Sequence, residues 1–314
     1  MKEWLKFDTA WELLGINSEE KYIERFIVKG KFHDDVPEEI KIGFQTVEHL
    51  MAHAFYHIEL YNEAFNKCMR LFEVSLKLKC QQIGVSITNS NSREKSLNNL
   101  IHELCRKPNY NSLKNQYNWF RQLRNMEMHP SGGGYLGAFF NHTSKFKLFV
   151  NIINHLFLEE NKLSNLLRIQ ETVHNSINSF NKKFYTVLIN DKKYLIKNII
   201  NHKIINCKNE TALVIIVSPV LTDTYNYLSQ YSSKPLNILV NDFTIGNNSI
   251  VGKTENKFFF ELTTDNKEEN IKTVSIFDND LERLDDITRS NYEIHLKHRA
   301  LLDIINLTYY NSYF

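Results

Sequence analysis

The chain has 314 residues, of which 42% are hydrophobic and 24% charged, with a formal net charge of +2. That length admits two domains with separate cores, and the composition is that of an ordinary globular protein. The near-neutral balance excludes a strongly basic nucleic-acid coat, although a local phosphate site needs only a few cations.

The opening residues Met1-Lys-Glu-Trp-Leu-Lys-Phe-Asp8 are broken by charges and do not read as a signal peptide. No run of about 18 apolar residues suggests a membrane span, so the expectation is a cytoplasmic chain without a membrane partner. Residues 1–36 read as one or two short helices with Trp4, Leu5, Trp11, Leu13 and Leu14 as apolar contacts. Asn17 followed by Glu20 has the form of a capping box for a helix carrying Tyr22, Ile23, Phe26 and Ile27. The pattern suits either packing on the main bundle or a small appendage.

Asp35-Val-Pro37-Glu-Glu predicts a helix start, with a capping residue, an early proline and acids in the first turn. From there Val47, Met51, Ala54, Ile58, Tyr61, Phe65, Cys68, Phe72 and Leu76 recur every three or four residues. The spacing predicts one long amphipathic helix ending near Gly84, with Gly43 as the place for a bend. After a polar loop over Ser86–Ser92, a short helix with Leu97, Leu100, Ile101 and Leu104 stops before Pro108. A further helix covers residues 111–128, and Phe146 to Phe180 carries two more, divided near Glu159-Glu-Asn161.

The period changes after Lys183. Phe184–Asn190 and Lys193–Ile200 predict a hairpin around Asn190-Asp191, and Thr211–Ser218 a buried strand. Pro219–Gln230 reads as a helix, Leu236–Val240 as a strand, Gly246–Ser249 as a turn, and Lys257–Thr263 and Lys272–Phe277 as strands. A closing helix spans Asp280–Leu307. The expected fold class is α+β: a helical extension over 1–36, an all-α bundle over 37–182, and a smaller α/β domain of mixed sheet over 183–314.

One stretch stands apart, Trp119-Phe-Arg-Gln-Leu-Arg-Asn-Met-Glu-Met-His-Pro130. The apolar stripe Leu113, Tyr117, Phe120 reaches Arg124 at the next position of the same face, and a charge there must snorkel, pair or face a site. Pro130 disfavours helical dihedrals at His129, which places the imidazole where the helix ends. Ser131-Gly-Gly-Gly134 comes next as a loop nearly free of side chains, beside which a ligand's backbone can come close.

The pattern Arg124-Asn125-x-x-x-His129 resembles the R-N-x-x-x-H form of the motif of the HEPN superfamily, helical bundles that include many metal-independent ribonucleases of toxin–antitoxin, abortive-infection and antiphage systems. Phe72-Glu73-Val-Ser-Leu76-Lys77 is similar to the E-x-x-L-K run often seen in that family's earlier long helix. The resemblance covers residues 40–180 and implies a HEPN-like bundle. It further implies an endoribonuclease that needs no metal or cofactor, with Arg124, Asn125 and His129 as catalytic residues. A base removes the 2′-OH proton, the oxygen attacks phosphorus, and an acid protonates the departing 5′ oxygen. Histidine suits the proton steps and arginine the charged phosphorane.

Arg124 and His129 lie about 140° apart on an ideal helix, too far for a tight site. The resemblance answers with a homodimer whose two motif helices form a composite site on RNA. A toxin or antiphage role, with an antitoxin or phage-derived trigger as partner, comes from the same source. The plainer alternatives are His129 as a helix-end dipole partner with Arg124 paired to Glu127 or a neighbour, or a catalytically inactive HEPN-like module that binds nucleotide or RNA.

Other signals are weaker. His49, His53 and His57 share one face of the expected long helix, but H-E-x-x-H is absent and a solvated stripe is the better reading. Cys68, Cys80, Cys105 and Cys207 have no C-x-x-C pair, which fits reduced core thiols in a cytosol. Gly246-Asn-Asn-Ser-Ile-Val-Gly252-Lys-Thr254 fails as a phosphate loop because its first glycine is one residue too far away and Phe258-Phe-Phe260 reads as strand. Asp278-Asn-Asp280-Leu-Glu282 has Arg283 where a calcium loop needs glycine, and reads as a turn and acidic start for the last helix. His295 and His298 decorate its surface.

Overall fold

The structure, a computed structural model, describes residues 3–128, 142–180, 184–207, 210–220 and 234–312. The architecture is α+β, and the chain divides into two compact units at Leu163/Ser164.

The first unit is helical. Short 3-10 turns at Glu3–Leu5 and Thr9–Leu14 precede α1 (Glu19–Phe26), α2 (Glu38–His53), α3 (Glu59–Gln82), α4 (Leu97–Leu104), α5 (Pro108–Asn111), α6 (Lys114–Met128) and α7 (His142–Phe157). Helix α8 (Glu160–Ser179) begins in this unit and continues into the next. Ser18, not Asn17, caps α1 by accepting from the Lys21 amide. Pro37 occupies the cap position of α2, and Asp35 turns to His33, 3.5 Å away, instead of capping.

The single long helix predicted from Val47 to Leu76 is two helices, because the chain breaks between His53 and Glu59 while its apolar spacing continues. The break is held by the N-terminal segment. Trp11 Nε1 donates to the Ala54 carbonyl at 2.8 Å, Asp8 accepts from the Ile58 amide at 2.8 Å, and the Asp8 amide donates to the Phe55 carbonyl. Backbone groups that a continuous helix would pair internally therefore find partners elsewhere. Tyr22 completes the clasp by donating to the Met51 carbonyl. Trp11 and Tyr22 are buried in the aromatic core with Phe26 and Tyr61, whereas Trp4 and Leu13 are largely exposed. Helix α2 runs unbroken through Gly43. A side chain at that position would run into Leu71 of α3, so the glycine serves close helix packing and not a bend.

The second unit is built on six strands: β1 (Tyr185–Ile189), β2 (Lys192–Cys207), β3 (Glu210–Pro219), β4 (Leu236–Ile245), β5 (Ser249–Thr254) and β6 (Phe259–Thr264). Every pairing is antiparallel, and β6 returns to β1 to close a barrel, where a mixed sheet was expected. The β1–β2 turn falls at Asn190-Asp191, both at positive φ (47° and 61°), the geometry favoured in two-residue hairpins. Strand β3 is covered on both faces, which explains its unbroken apolar run. Ala212, Val214 and Ile216 pack with Leu239, Ala300 and Ile304, while Leu213, Ile215 and Val217 face the other way.

Two further expectations change here. Lys272–Phe277 is not a strand but the middle of α9 (Glu268–Glu282), with Val274 and Phe277 buried one turn apart. The closing helix is a second element, α10 (Asp286–Asn311), capped by Asp285. Strand β5 occupies residues whose pattern suggested a turn and a failed phosphate loop. Gly252 sits there because a Cβ would lie 2.8 Å from the Asn241 carbonyl oxygen across the β4–β5 pairing. The helix expected over Pro219–Gln230 falls, beyond Val220, outside the described residues.

Candidate functional site

Helix α6 packs on α3 through its apolar face. Tyr117 and Phe120 are fully buried, with the Phe120 ring 5.1 Å and the Tyr117 ring 5.9 Å from Phe72. One turn on, the same face delivers Arg124 to the margin of the core, where its side chain is 34% exposed. Its head reaches polar partners, as the charged tips of long side chains do at such margins.

The guanidinium lies 3.6 Å from the Glu73 carboxylate of α3, and Nη1 donates to Asn125 Oδ1 at 3.4 Å. Glu73 also holds Lys77 at 3.3 Å, and Lys77 reaches Glu94 at 2.8 Å. Glu94, Lys77, Glu73 and Arg124 thus form an alternating row of charges across α3 and α6. The Glu94 hydrogen bond, reinforced by Glu73 and opposed by burial, raises the Lys77 pKa above its ordinary value.

Of the three residues singled out from the sequence, the structure brings Arg124 and Asn125 together. His129, Pro130 and the glycines of 131–134 lie outside the described residues. Glu73 is the addition. Its sequence signal is its place in the E-x-x-L-K run, but its pairing with Arg124 depends on how α3 and α6 pack. An arginine carries five donors, so a carboxylate on one edge and an amide oxygen on another leave N–H groups for an incoming phosphate. Trp119, 37% exposed on the same helix, offers a ring to solvent, whereas Tyr117 belongs to the core.

The competing signals resolve by geometry. His49, His53 and His57 do not share a helical face, because α2 ends at His53 and His57 lies in the break, 4.0 Å from Asp8. No group of three histidine, cysteine or acidic side chains among the described residues is placed to hold a metal ion. No disulfide joins the four cysteines; burial pushes the Cys80 and Cys105 thiols up to about 11, away from reactivity at neutral pH. Asp278–Glu282 forms the last turn of α9 and not the start of the closing helix. His295 and His298 are exposed on α10. No helix among the described residues is long and apolar enough to cross a membrane.

The second unit holds a histidine pair that the sequence pattern does not reveal. His202 of β2 and His174 of α8 stack with ring centroids 5.5 Å apart, and burial, then the neighbouring ring, lowers the His202 pKa to about 4. The two lie 28 positions apart, and no local spacing announces them.

No protein-family model, curated protein or solved structure matches the chain.

Proposed function

We propose that the chain is a HEPN-like, metal-independent endoribonuclease, with Arg124 holding the scissile phosphate, His129 moving the protons and Asn125 orienting them. The observation that carries the reading is the placement of Arg124. A guanidinium sits at the margin of a helical core, fixed by Glu73 and Asn125, and keeps donors free for phosphate. The motif resemblance supplies the rest: RNA as substrate, a homodimer that completes the site, a cytoplasmic setting, and a toxin or antiphage role with an inhibitor or trigger as partner.

Purified protein, freed of any inhibitor, is incubated with total RNA in EDTA beside Arg124→Ala and His129→Ala. Cleavage by the parent chain, reduced about 10²–10⁴-fold in each variant, is expected. Equal RNA integrity in all three samples would sink the nuclease reading.

One observation favours the runner-up, an inactive module that binds nucleotide or RNA. Glu73 offsets part of the charge that Arg124 would offer a developing phosphorane. RNA binding that survives in EDTA without cleavage, and that weakens in Arg124→Ala, selects this reading.

A further inference from the structure

The second unit contains a cavity of about 540 Å³ bounded by β2, β3, α9 and α10, within the range of small-molecule sites. Strand β2 creates the space. Its register against β3 slips between Ile196 and Asn198 and again between Ile199 and Asn201, beside the residues that line the cavity. Bulges of this kind re-aim side chains next to binding sites.

The walls divide by chemistry. Ile199, Ile200, Phe277, Leu281 and Leu296 supply an apolar lining. Ser218, 3% exposed, lines the same space and presents a hydroxyl group in its wall. The Tyr292 hydroxyl in the wall is buried and has no hydrogen-bond partner among the described residues. Buried polar groups are nearly always satisfied, so an orphan in a cavity wall points to an absent occupant that supplies the bond. Asn198, opposite Ser218 in the ladder, adds an amide.

Lys197, Arg289 and Lys297 also line the cavity. Lys197 is held firmly by both oxygens of Asp278 at 2.6 Å. Among the described residues, Arg289 pairs with Asp286 at 2.5 Å and Lys297 with Glu293, also in the lining, at 3.8 Å, both within their own helix. Exposed pairs of this sort add little stability, so an incoming anion can exchange with them at little cost.

We propose that this cavity binds a nucleoside monophosphate. The base packs among Phe277, Leu281 and Leu296, its polar edge or sugar hydroxyls meet Tyr292, Ser218 and Asn198, and the phosphate takes the fork of Arg289 with Lys297. Binding of this kind belongs to the barrel unit alone and is independent of nuclease activity.

The test is calorimetric titration of AMP into the full-length protein, with adenosine and inorganic phosphate in parallel. Saturable one-to-one binding is expected, weaker for either half-ligand, and reduced about tenfold or more by Arg289→Glu through loss of a charge-assisted bond. Tyr292→Phe separates binding from folding, because deleting an orphan hydroxyl leaves the thermal midpoint of the free protein unchanged or higher while AMP affinity falls. Absence of saturable AMP binding overturns the proposal. So does binding indifferent to both variants, or inorganic phosphate binding as tightly as AMP.

Discussion

Arg124 shows how one side chain can be placed by its neighbours' apolarity and defined by a charge from another helix. The stripe Leu113, Tyr117, Phe120 made its half-buried position legible in the sequence, but the identity of its partner was not, since Glu73 lies 51 positions earlier. Glu73→Gln is therefore informative. It removes the competing carboxylate, and filter-binding of single-stranded RNA should tighten about two- to fivefold and become more salt-sensitive. Unchanged affinity would mean that Arg124 does not meet phosphate. His202 makes a different prediction. Its pKa is held at about 4 by burial and then by His174, below the ordinary 6.5 of the unfolded chain. Between those values the unfolded state binds more protons, so this stability is present above pH 6.5 and drains away as pH falls toward 4. Thermal midpoints measured across that window should fall less steeply in His202→Phe than in the parent.

At the scale of elements, periodicity located helices well and their interruptions poorly. The apolar positions from Val47 through Tyr61 keep helical spacing straight through the break, and only the hydrogen bonds of Asp8 and Trp11, more than forty residues away, reveal where α2 stops. Trp11→Ala should cost about 3–5 kcal/mol, seen as a lower denaturation midpoint of the helical unit, because it empties a core position and orphans the Ala54 carbonyl. A neutral result would show that the N-terminal segment is merely draped on the bundle. Residues 272–277 misled for the opposite reason: Thr273, Val274 and Ile276 favour strands, yet burial of Val274 and Phe277 on one face makes the segment helical. The β1–β2 hairpin was legible because Asn190-Asp191 tolerates the left-handed backbone that its turn requires. Gly252→Ala should destabilise the barrel by about 1–3 kcal/mol by forcing β4 away from β5, measurable as a loss of cooperative unfolding midpoint.

For the whole molecule, the alternation of helical and extended periods gave α+β, but barrel closure was invisible. It depends on β1 and β6 pairing across more than seventy residues, from Tyr185 opposite Thr264 to Ile189 opposite Phe260. The proposed composite site adds a prediction at this scale. Sedimentation should report a dimer of the 37.1 kDa chain, and a monomer at high concentration would remove the second motif helix that the site needs. The same β1–β6 pairing has a consequence during synthesis. The first barrel strand must wait unpaired on one side while about seventy further residues are added, at about 5–20 per second. The helical unit, whose partners lie closer in the chain, can be complete by then. A nascent chain therefore carries Arg124 on finished helices for several seconds before the last strand arrives to close the barrel.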